Sequence, residues 1–162
     1  MDTELIAKRV GELLLERRLT LGLAESCTGG TVASYITDVP GSSAYFEGGI
    51  VAYSYQAKMR LLGVSAPTLE RYGAVSAEVA VEMALGARAR LGVDLSVSVT
   101  GIAGPGGATL DKPVGLTYIG LASAAGETWR RHFWNGNRRE NRELSARAAL
   151  QLLQEYLESR VL

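Results

Sequence analysis

The chain has 162 residues, 47% of them hydrophobic, and 17 Lys and Arg balance 17 Asp and Glu. That length suits one domain with a real core, and the balanced charge argues against a basic face for a nucleic-acid backbone. A single cysteine, a single histidine and no apolar run near the ~20 residues of a membrane span argue against an internal disulfide, a zinc cluster or a transmembrane helix.

The opening Met1-Asp2-Thr3-Glu4 lacks the basic-then-apolar pattern of a secretory signal, so a soluble protein of the reducing cytoplasm is expected, with no metal and no cofactor. Residues 2–18 read as an amphipathic helix, with Leu5, Ile6, Val10, Leu13 and Leu14 at helical spacing. Leu19–Leu23 is a first strand, and a helix runs from Thr28 to about Asp38. Val39–Ser43 is a turn by composition, and Phe46–Tyr55 is a strand interrupted by Gly48-Gly49. Short helices follow at 56–62 and 67–72, each ended by a glycine, and Ser76 caps a third that reaches Leu91. Asp94–Thr100 alternates apolar residues with Ser96, Ser98 and Thr100, which is a strand signal. Residues 101–111 are irregular, and Val114–Ala122 with Glu127–Trp134 form a hairpin. Arg138–Leu162 is the closing helix. The alternation of helices and strands with a late hairpin predicts one three-layer α/β/α domain around a mixed sheet.

Three segments carry the candidate chemistry. Ala24-Glu25-Ser26-Cys27-Thr28-Gly29-Gly30 joins a strand to a helix with small and polar residues, which fills a core poorly but brings N–H groups and hydroxyls close to a bound group. Ser26 or Thr28 acting only as a helix cap is the bland alternative. Thr100-Gly101-Ile102-Ala103-Gly104-Pro105-Gly106-Gly107 follows a strand, as ligand loops of α/β sheets do, yet matches neither a P-loop nor a dinucleotide fingerprint. Between them, Tyr53 and Lys58 fall where both could reach one mouth of the sheet and help take a proton from serine.

With AESCTGG at 24–30, GGIVAYS at 48–54 followed by Lys58, TGIAGPGG at 100–107, KPVG at 112–115, and Gly136 followed by Arg138 and Arg142, the chain resembles the CinA carboxy-terminal domain family, which includes stand-alone nicotinamide-nucleotide amidohydrolases. The resemblance covers essentially the whole chain; a full-length CinA carries a further nucleotide-binding domain in front, for which this sequence has no room. It implies hydrolysis of the carboxamide of nicotinamide mononucleotide, a small-molecule pyridine nucleotide, to nicotinic acid mononucleotide and ammonia. By similarity Ser26 is the nucleophile, Tyr53 and Lys58 its activating pair, and Ser43 an assistant. Thr28, Gly29, Gly30, Thr100, Gly101 and Gly104 line the substrate, Arg138 or Arg142 meets the phosphate, and no cofactor is used. Asn137 stands where the family often has Asp, and Tyr55-Gln56 replaces a more polar pair.

The inventory agrees with that chemistry: amide hydrolysis needs a nucleophile, a proton shuttle and oxyanion donors, and a lysine can stand in for histidine. Backbone N–H groups at 27–30 are the candidate oxyanion donors, and arginine suits a phosphate. Two other readings stay open at this point: Cys27 as the nucleophile, and a nucleotide-sensing or protein-interaction module without turnover. The resemblance, with the apolar stripes of the first and last helices, also raises the expectation of a homodimer, with neither nucleic acid nor membrane as partner.

Overall fold

The computed structural model describes residues 2–159. Its elements in chain order are α1 (Thr3–Arg17), β1 (Leu21–Glu25), α2 (Thr31–Thr37), a 3-10 turn (Ser42–Ala44), β2 (Phe46–Val51), α3 (Tyr55–Leu62), α4 (Ala66–Tyr72), α5 (Ala77–Leu91), β3 (Leu95–Gly101), β4 (Leu116–Ser123), β5 (Gly126–Phe133) and α6 (Arg138–Glu158). One five-stranded sheet has the order β2-β1-β3-β4-β5. β2, β1 and β3 are parallel, and β4 and β5 antiparallel. The expected mixed sheet between two helical layers is therefore what forms. The part of the closing helix expected at 160–162 lies outside the described residues.

One layer holds α1, α2 and α6. Ile6, Val10, Leu13 and Leu14 of α1 meet Ala149, Leu150, Leu153 and Leu157 of α6, together with Leu21, Leu23, Val97, Val99, Ile119 and Leu121 of the sheet. The apolar stripes of the first and last helices are thus spent on each other and on the sheet, so a homodimer has to use another surface. The opposite layer packs α3, α4 and α5 through Leu62, Leu69, Val79, Met83 and Ala87. Among the described residues no helix is long and apolar enough to cross a membrane.

Several boundaries move for identifiable reasons. β1 begins two residues later than the apolar run suggests. The Thr20 N–H and hydroxyl donate to the Asp94 carboxylate, at 2.8 and 3.0 Å, and hold Thr20 in the turn ahead of the strand. The strand then runs through Glu25, and α2 waits until Thr31. β2 stops at Val51, four residues short of expectation, because Ala52 and Tyr53 turn their carbonyls toward Lys58. β3 is buried on both faces although every second residue is polar. Its hydroxyls are not solvated: Ser96 donates to the Ala84 carbonyl and Ser98 to the Ala80 carbonyl of α5, each at 2.5 Å, and Thr100 donates to the Ala74 carbonyl at 2.8 Å. The expected caps at Ser76 and at the start of α6 form, with Ser76 Oγ accepting from Val79 N and Asn137 Oδ1 from Glu140 N.

Candidate functional site

Parallel strands end together, and the residues that follow them converge at one rim of the sheet. Here β1 ends at Glu25, whose carbonyl accepts from Ala52 N at 2.9 Å, and Ser26 N donates to the Val99 carbonyl at 3.0 Å. The next turn is closed by Gly29 N donating to the Ser26 carbonyl. Gly29 and Gly30 have φ of 59° and 107°, a region that favours glycine, and so bring the chain into α2. The Glu25 carboxylate, 1% exposed, accepts from Val32 N at 2.9 Å and Ala33 N at 3.0 Å. It occupies the first free donors of α2 and ties the end of β1 to the start of the helix, with Ser26 in the loop between.

Lys58 sits in the first turns of α3, which Ser54 caps by accepting from Ala57 N. The lysine is 1% exposed. Its Nζ donates to Ser26 Oγ at 2.9 Å, to the Ala52 carbonyl at 3.0 Å and to the Tyr53 carbonyl at 3.0 Å. Burial of the ammonium lowers its pKa from 10.5 to about 8, with only a small opposing pull from Cys27. No carboxylate pairs with it among the described residues.

Cys27 points the other way, into the core. A Cβ on Gly101 would lie 3.2 Å from its Sγ, and burial raises its pKa to about 11. A neutral, enclosed thiol is a poor nucleophile. Thr28 is fully buried, and its hydroxyl has no hydrogen-bond partner. Among the described residues no acceptor takes the backbone N–H of Thr28 or Gly30.

The N-terminal turns of α6 fasten the other loops. Arg142 donates from Nε to the Cys27 carbonyl at 2.9 Å and from Nη2 to the Thr28 carbonyl at 3.2 Å. Asn141 donates to the Ala103 carbonyl and accepts from Gly136 N. Arg138 donates to the Gly104 carbonyl at 2.8 Å and to the Tyr53 hydroxyl at 3.1 Å. Residues 138, 141 and 142 share one helix face, so one short stretch holds both glycine-bearing loops.

Of the residues singled out in the sequence, Ser26, Lys58, Thr28, Gly29, Gly30, Gly104, Arg138 and Arg142 fall in this one group. Thr100 stands beside Ser26 by register, since Glu25 pairs with Val99. Gly101 packs closely against Thr117, Leu116 and Cys27, with no room for a Cβ. Tyr53 is present through its carbonyl on Lys58. Its phenol is 59% exposed and lies on Arg138 rather than on Ser26. Ser43 is not brought in. It belongs to the turn that leads into β2 beside Leu21, the far end of β1, about 13 Å of strand from Glu25. Glu25 and Asn141 were not foreseen as part of the site. A carboxylate closing an otherwise apolar strand was the available signal for Glu25, and Asn141 left none.

A family model described as the CinA C-terminal domain matches residues 3–157. A CinA-like protein of Thermosynechococcus vestitus is 53% identical over 159 residues, which cover 96% of this chain and 38% of that protein. The chain therefore spans well under half the length of such curated relatives. Among solved structures, the competence/damage inducible protein CihA of Agrobacterium tumefaciens superposes with a TM-score of 0.93 at 39% identity, covering 98% of this chain and 96% of its own. A CinA superfamily protein of Klebsiella pneumoniae superposes at 0.94 with 30% identity, covering 98% and 99%.

Proposed function

The chain belongs to the CinA C-terminal domain family, and from that premise we propose that it is a serine amidohydrolase that deamidates nicotinamide mononucleotide. The observation that carries this reading is the set of partners around Lys58 Nζ. A neutral amine has two N–H bonds and one lone pair. Two of the three partners, the carbonyls of Ala52 and Tyr53, can only accept. Once Lys58 loses a proton, its two remaining hydrogens stay with those carbonyls and its lone pair faces Ser26 Oγ, 2.9 Å away. With a pKa near 8, roughly a tenth of the molecules hold this state at pH 7.

In the proposed reaction Lys58 takes the Ser26 proton as Oγ attacks the carboxamide carbon. The oxyanion that forms is met by the unclaimed N–H groups of Thr28 and Gly30. Lys58 then returns the proton to the departing nitrogen, ammonia leaves, and water hydrolyses the acyl-serine by the same shuttle. Tyr53 contributes its carbonyl to Lys58, and its phenol holds Arg138 at the mouth. Arg138 is the more exposed of the two arginines and is the candidate for the phosphate, whereas Arg142 spends two of its nitrogens on loop carbonyls.

The test is ammonia release from nicotinamide mononucleotide. Ser26→Ala is expected to lose at least ~10³-fold in turnover with its circular dichroism unchanged, and Cys27→Ala to keep most activity. Thermal stabilisation by the nucleotide without ammonia from the wild type would instead support the nucleotide-sensing module, and a dead Cys27→Ala beside an active Ser26→Ala would overturn the nucleophile.

A further inference from the structure

β5 is an outer strand of the sheet, and it is unusually bare for one. Glu127, Trp129, Arg131 and Phe133 are all exposed, with Trp129 at 46% and Phe133 at 54%. These four share the sheet face that β4 turns toward α5, since they pair with Ala122, Gly120, Tyr118 and Leu116, and a Cβ on Gly120 would meet the Ala80 carbonyl of α5. Their backbone groups point outward. In an antiparallel ladder, pairs alternate between bonded and unbonded. Counting from Ser123–Gly126, which closes the two-residue turn, the even residues of β5 bond to β4; Trp134 N continues the series by donating to the Gly115 carbonyl. The N–H and C=O of 127, 129, 131 and 133 are therefore the free edge. The opposite edge, β2, carries two glycines and only Glu47 as a charge.

We propose that β5 pairs antiparallel with β5 of a second copy of this chain about a twofold axis at Trp129, joining two five-stranded sheets into one. The charge pattern selects both partner and register. Glu127 and Arg131 lie two residues on either side of Trp129, on the same face, and neither forms an ion pair within the chain among the described residues. An antiparallel pairing centred on Trp129 sets each Glu127 opposite the Arg131 of the other copy, twice, with the two tryptophans side by side between them. A slip of two residues parts the charges, and a slip of one turns bonded edge groups away from each other. The two indoles cover each other where α5 leaves the face open. Arg130 remains on the other face with Glu155 of its own chain. This pairing does not depend on the catalytic reading.

The test is the molar mass of the whole chain in solution, by light scattering across a dilution series. The wild type is expected to be a dimer at micromolar concentration. Glu127→Arg and Arg131→Glu each place like charges opposite each other twice, and each alone is expected to weaken dimerisation at least about tenfold. Mixed in equal amounts, the two variants restore opposite charges at both positions and are expected to form a heterodimer as tight as the wild type. Both side chains are exposed, and an unchanged circular dichroism melt confirms that each variant folds. A monomeric wild type, single variants that dimerise as the wild type does, or variants that remain monomeric when mixed would each overturn the proposal.

Discussion

At the scale of the residue, Lys58 makes a claim that can be titrated. If the neutral amine is the base, turnover rises with pH and levels off above about 8, the value to which burial brings its pKa. Lys58→Arg cannot give up its proton in this range, so it is expected to lose at least ~10²-fold while still binding the nucleotide. An arginine variant with substantial turnover would remove Lys58 from proton transfer. The same shift bears on stability. A lysine whose pKa is lower when folded than when unfolded binds fewer protons in the native state between about 8 and 10.5. Its burial penalty is therefore complete below 8 and relieved as pH rises toward 10.5, by up to about 3 kcal/mol. Denaturant unfolding of the wild type, referenced to Lys58→Met, is expected to gain stability over that interval, and a flat difference would refute the depressed pKa. The identities of Ser26 and Lys58 were legible in the sequence because their types and flanking glycines are distinctive. The role of the Tyr53 carbonyl was not, because a backbone group is the same in every residue and only the fold aims it.

At the scale of the element, α3 is useful only if α5 holds it in place. The contact between them is close. A Cβ on Gly86 of α5 would stand 1.8 Å from the Leu62 carbonyl at the end of α3. Gly86→Ala must push the helices apart, at a cost of about 1–3 kcal/mol. It is expected to lower Tm and, because α3 carries Lys58, to reduce turnover more than nucleotide binding; an unaffected Tm would mean the helices are not in that contact. Gly86 drew no notice in the sequence, since a glycine inside a helical pattern looks merely tolerated until its neighbour is known. The elements themselves were readable from apolar periodicity and from glycine stops. Their ends were less so: β1 slid by two residues and β2 ended four early because Asp94 and Lys58, far along the chain, claim the groups there. The serines of β3 mimicked a half-solvated strand while donating to α5 carbonyls.

At the scale of the whole molecule, Ser26, Lys58 and the glycine loop come from β1, α3 and the β3–β4 connection, and α6 staples two of the three. A nucleotide bound at their meeting point favours the folded state as a whole, by ~2.7 kcal/mol at a hundredfold excess over Kd. Cys27 offers a way to watch that meeting point from the inside. Its thiol is 7% exposed and held neutral by burial, and its own carbonyl is gripped by Arg142. A thiol-alkylating reagent can reach it only while the staple is undone, so the rate of labelling works as a clock for opening of the loop that carries Ser26. Arg142→Ala is expected to make that clock run faster at unchanged global stability. Saturating nicotinamide mononucleotide is expected to slow it in the inactive Ser26→Ala protein, where nothing is consumed. The single cysteine of the chain is then a built-in reporter on its neighbour, readable by mass spectrometry without any engineered probe.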